Sequence, residues 1–91
     1  MDIEDAIDEL SSGKPTRFKR LLTICQTFFG SARIRGSHHI FKTPWPGDPR
    51  INVQASGKDA KNYQVKQVIQ ALEKLDEMDD EEDDEENDNG S

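Results

Sequence analysis

Hydrophobic positions follow two rhythms along this chain, and the rhythm changes mark the elements. Phe18, Leu21, Leu22, Cys25, Phe28 and Phe29 recur three or four residues apart. That spacing gathers them on one side of a 3.6-residue helix. Pro15 suits a first helical turn, where its missing N–H has no partner to lose. Gly30 closes the pattern. A helix over 15–28 is predicted, with Arg17, Lys19 and Arg20 on its wet side. A second stripe runs Val65, Val68, Ile69, Leu72, Leu75. It predicts a helix from Asn62, a capping residue type, to about 75–78.

Between the helices the rhythm is two. Residues 31–35 read as a short strand, Gly36-Ser37 as a turn, and 38–42 as a second strand. On that second strand His39 and Phe41 share one face, and His38 and Ile40 the other. Three prolines in 43–49 each lack a ladder donor, so that segment is a loop. Residues 51–54 form a third strand, with Ile51 and Val53 on one face. Near the start, Ile3, Ala6, Ile7 and Leu10 allow a turn or two of amphipathic helix. The main order is α-β-β-β-α. The expected fold is α+β: a three-stranded antiparallel sheet with two helices on one face and the other face open.

Charge sharpens this picture. The net charge is −7, but the charges are segregated. All twelve Lys and Arg lie within residues 11–75, among only three acids. Five acids occupy the first ten residues, and eleven the last sixteen. Three regions follow: an acidic N-terminal extension over 1–13, a folded domain over 14–76, and an acidic tail over 77–91. The tail has too little apolar surface to bury and is expected to be disordered. A basic middle suits an anionic ligand such as nucleic acid.

Other classes recede. One cysteine, Cys25, forms no internal disulfide and no Cys-based zinc site, and its place on the apolar stripe reads as a buried thiol. No apolar run approaches the roughly 20 residues of a membrane span. The acidic N-terminus is unlike a secretory signal, so a cytoplasmic location is expected. Two adjacent histidines without nearby cysteine or carboxylate are a poor metal shell, so no metal or other cofactor is expected. A glycine-rich nucleotide fingerprint is missing.

The chemistry-bearing run is Gly36-Ser37-His38-His39, which follows Arg33 and Arg35 and leads into Ile40-Phe41-Lys42. Histidine has an unperturbed pKa of about 6.5, so it can give or take a proton near neutrality. The run could therefore serve acid–base work on a phosphodiester.

Together, the striped helix, this run, the following Thr43-Pro44 and the helix segment Tyr63-Gln64-Val65-Lys66-Gln67-Val68-Ile69 resemble a HicA-type toxin over most of residues 15–75. The resemblance implies a double-stranded-RNA-binding-like fold. It implies an mRNA interferase, an endoribonuclease that acts without the ribosome, neutralised by a HicB-type antitoxin. It also implies that His39, the second histidine of the run, is catalytic. The chain departs from the family in its acidic N-terminal extension, in Trp45 within the proline-rich loop, and in its acidic tail.

Each candidate has a plainer reading beside the functional one. His39 is either a proton-transfer group at the ribose 2′-hydroxyl or leaving oxygen, or a strand histidine in a hydrogen bond. His38 points the other way and is read as a supporting or RNA-contact residue. Arg33, Arg35 and Lys42 either neutralise phosphate or are ordinary solvated charges. Gly36 and Ser37 either offer backbone N–H groups to phosphate or only turn the chain. Lys58, Lys61 and Lys66, near the start of the last helix, either meet phosphates or keep the surface soluble. Trp45 either stacks a base or packs over the sheet edge, the second being preferred. Three functions compete: a HicA-like ribonuclease, a non-catalytic RNA-binding module on the same fold, and a protein-interaction module.

Overall fold

A computed structural model of the chain describes residues 1–46 and 50–90, with side chains as far as Met78. The last part of the expected 43–49 loop, at residues 47–49, lies outside the described residues. Three helices and five short strands follow one another as α1 (Ile3–Leu10), α2 (Phe18–Phe29), β1 (Arg33–Arg35), β2 (His38–Lys42), β3 (Arg50–Val53), β4 (Ala55–Ser56), β5 (Asp59–Ala60) and α3 (Asn62–Gly90).

The expected meander is present. β1, β2 and β3 form an antiparallel sheet in that order. Gly36 turns the chain between β1 and β2 at φ +59°, a left-handed conformation that glycine adopts without a side-chain clash. The register sets Ile34 opposite His39 and His39 opposite Val53, with Phe41 opposite Ile51. Phe41, Ile51 and Val53 are buried in one core with Leu21, Ile24 and Cys25 of α2 and Val65, Val68 and Leu72 of α3. Two helices thus cover one sheet face, as the stripes predict. Arg33, Arg35, Lys42 and Arg50 stand exposed on the other face.

The chain adds two features to the α-β-β-β-α order. α1 is part of the core rather than an extension outside it. Ala6 and Leu10 are buried, and α1 packs on α3 while its acids stay wet. Glu4 and Asp5 sit in its first turn, where the helix dipole favours negative charge. The second addition is the β4–β5 hairpin, which clamps the start of α2. Ala60 N–H donates to the Thr16 carbonyl at 2.8 Å, and Phe18 N–H to the Lys58 carbonyl at 3.0 Å. Arg17 and Asp59 form a bridge between the two segments. These bonds hold Thr16 and Arg17 extended, which is why α2 begins at Phe18 and not at Pro15.

α3 also runs further than its apolar stripe. Its backbone is helical to Gly90, through most of the 77–91 segment for which composition alone predicts disorder. Extending a docked helix gains one hydrogen bond per residue ordered, without a new nucleation cost. Trp45 packs, as preferred. Its ring stands edge-on to Phe29, with centroids 6.4 Å apart, and Lys74 Nζ lies 4.7 Å from its centroid.

Candidate functional site

The two histidines open β2, and strand alternation sends them apart. His39 lies on the helix-covered face and is half-buried. Its ring meets Phe18, the first residue of α2, edge-on at a centroid distance of 5.2 Å and an interplanar angle of 72°. Nδ1 of His39 is buried with no hydrogen-bond partner. Proton exchange with a ligand therefore falls to Nε2, on the other edge of the ring.

His38 faces the open side. Its Nδ1 lies 3.1 Å from Oδ1 of Asn52 on β3. An amide oxygen accepts, so Nδ1 carries the hydrogen in this contact. Arg35 is the cross-strand partner of His38, and Arg33 that of Ile40. Both arginines therefore share the His38 face, not the His39 face. Lys42 lies opposite Arg50 on that same open face, three residues or about 10 Å along the strand from His39. Arg33 and Arg35, which precede the run in sequence, are thus gathered with His38 and not with His39, and Lys42 stands further along the same face.

Ser37 and Lys61 are brought together by a residue that no motif marks. Gln54, just after β3, donates from Nε2 to Ser37 Oγ at 3.0 Å and accepts from Lys61 Nζ at 3.1 Å through Oε1. Its backbone N–H donates to Oε1 of Gln64 at 2.7 Å. Gln64 is buried, and its Nε2 donates to the hydroxyl of Tyr63 at 3.3 Å. Gln54 thereby ties the Gly36-Ser37 turn to the start of α3, beside the histidine end of β2. Tyr63 is exposed at that corner.

The three lysines do not form one cluster. Lys61 belongs to the Gln54 network. Lys58, in the β4–β5 turn, lines a groove of about 570 Å³ with Arg17, Phe18, Lys19, Arg20 and Gly57. Lys66 lies instead along the seam of α1 and α3, near Lys14 and Asn62. The groove arginines read in sequence only as the wet side of a helix. Nothing local marks them, because the hairpin that completes the groove comes from about forty residues away.

Cys25 takes no part. It is buried on α2, and desolvation pushes its thiol up to about 12. Among the described residues, no group of three or more His, Cys, Asp or Glu is placed to hold a metal ion. No described helix is long and apolar enough to cross a membrane. Compared with known families, curated proteins and solved structures, the chain gives no match.

Proposed function

We propose that this protein is a HicA-like, metal-independent endoribonuclease acting on mRNA, built on a double-stranded-RNA-binding-like fold. The observation that carries this reading is the setting of His39. Its ring is half-buried and braced by Phe18, its Nδ1 is closed off, and the same Phe18 lines a basic groove. A braced imidazole in a cationic neighbourhood suits proton transfer on a phosphodiester.

RNA supplies the nucleophile. The ribose 2′-oxygen attacks phosphorus and the bond to the 5′-oxygen breaks. The products are a 2′,3′-cyclic phosphate and a 5′-hydroxyl. The 2′-hydroxyl gives up a proton and the 5′-oxygen takes one; His39 serves one of these two transfers through Nε2 and solvent water serves the other. Lys61 and Ser37, held by Gln54, meet the phosphate from the turn side. A HicB-type antitoxin is the neutralising partner in this reading, and the site of action is the cytoplasm.

One observation favours a second reading, RNA binding without cleavage. Arg33, Arg35 and Lys42 lie with His38 on the open face, so much of the positive charge is turned away from His39. Inducible expression of the wild type and His39→Ala in bacteria separates the two. The ribonuclease reading expects growth arrest with mRNA loss in the wild type alone. Equal toxicity from both proteins removes His39 from the mechanism.

A further inference from the structure

Cys25 is buried, the open sheet face belongs to the surface already described, and the Trp45 ring is engaged by Phe29 and Lys74. The groove between α2 and the β4–β5 turn carries more. It gathers Arg17 just before α2, Lys19 and Arg20 of α2, and Lys58 of the β4–β5 turn around the apolar ring of Phe18. All four cationic residues are exposed. The same Phe18 ring braces His39.

An anion already occupies part of this surface. The Glu9 carboxylate on α1 accepts two hydrogen bonds from Arg20, from Nε and from an Nη, each at 2.7 Å. This two-pronged geometry is the one by which arginine grips a phosphate. A second carboxylate contact at the groove is looser: Asp59 lies 3.9 Å from Arg17, with both side chains exposed. Lys19 and Lys58 carry no recorded ion pair among the described residues.

We infer that the Arg17–Lys19–Arg20–Lys58 groove is a binding site for the phosphodiester backbone of single-stranded RNA, with Glu9 as its built-in competitor. This rests on the RNA reading above and extends it, because Phe18 both lines the groove and meets His39. The pairing holds the Glu9 carboxyl below its usual range, chiefly through the hydrogen bonds from Arg20. Glu9 is therefore an anion at neutral pH, and an incoming phosphate must displace it to reach Arg20.

The test is a salt titration with the full chain. The probe is a labelled single-stranded 2′-O-methyl RNA, which lacks the 2′-hydroxyl and reports binding without cleavage. Each cation on a single-stranded phosphate contributes about 0.7 to the slope of log K against log salt. Arg17→Ala/Lys19→Ala/Lys58→Ala is expected to flatten that slope by about 2 and to weaken binding roughly ten-fold or more at low salt. Glu9→Gln is expected to tighten binding by roughly 2- to 5-fold, the range open to an exposed ion pair. Lys74→Ala, over the Trp45 ring on α3, controls for loss of positive charge away from the groove. An unchanged slope and affinity in the triple variant overturns the groove while leaving the RNA reading intact. A wild type that binds no RNA at any salt overturns both. All three groove side chains are exposed, so a matched thermal melt separates lost contacts from lost fold.

Discussion

Phe18 sets the edge of its ring against His39 at 5.2 Å between centroids, joining the first residue of α2 to the second residue of β2. The contact fixes the imidazole from the side opposite the sheet. Phe18 is in turn fixed by its own backbone bond to Lys58. A positioning role for Phe18 follows. Phe18→Leu keeps an apolar body but loses the ring edge. It is expected to lower the cleavage rate by roughly 10- to 100-fold, the cost of a misplaced reacting group. The dissociation constant for RNA is expected to change little, and comparing single-turnover rates with titrations reads the difference.

Leu10 is 4% exposed at the end of α1, against α3. If α1 were a loose extension, Leu10→Ala would be silent. Here it is expected to cost about 2–5 kcal/mol, the range for truncating a buried leucine. Ile34→Ala, at a side chain 63% exposed on β1, is expected to stay within about 0.5 kcal/mol. Urea denaturation of the two variants checks both values.

The Glu9–Arg20 pair makes the docking of α1 depend on pH. The Glu9 carboxyl sits below its ordinary value because Arg20 donates to it and adds an attractive charge, against a smaller opposing effect of burial. A lowered folded value means that the pair's stabilisation is present at neutral pH. It is lost as pH falls through that lowered value. Both side chains are about two-fifths exposed, so solvent screens the contribution and it is small. Thermal melts of wild type and Glu9→Gln are expected to differ slightly at pH 7 and to converge in acid.

Cys25 is fully buried, with its thiol pushed up to about 12 by desolvation. The thiolate is the reactive form, so the native protein is expected to resist a thiol reagent at neutral pH. Denaturant is expected to restore full labelling, which an absorbance assay follows directly. Rapid native labelling contradicts the burial.

Much of the fold was legible because it is periodic. The Phe18–Phe29 stripe, the alternation of His39 and Phe41, and the Val65–Leu72 stripe each name a buried face. The β4–β5 hairpin was not, because strands of two residues carry no rhythm and their bonds to Thr16 and Phe18 are tertiary. α1 was legible as an amphipathic segment, but not its docking on α3. The two arginines could have been placed. A two-residue turn at Gly36-Ser37 pairs Arg35 with His38, and alternation then puts Arg33 and Arg35 on the His38 face. Gln54 and Asn52 carry no local signal, since their importance lies in whom they meet.

The most direct test of the account is cleavage of a defined RNA by purified protein in the presence of a metal chelator, comparing wild type with His39→Ala. The account predicts that the wild type releases fragments ending in 2′,3′-cyclic phosphate and 5′-hydroxyl, while His39→Ala binds the RNA but leaves it whole. Equal cleavage by both proteins, or binding without cleavage by the wild type, would contradict it.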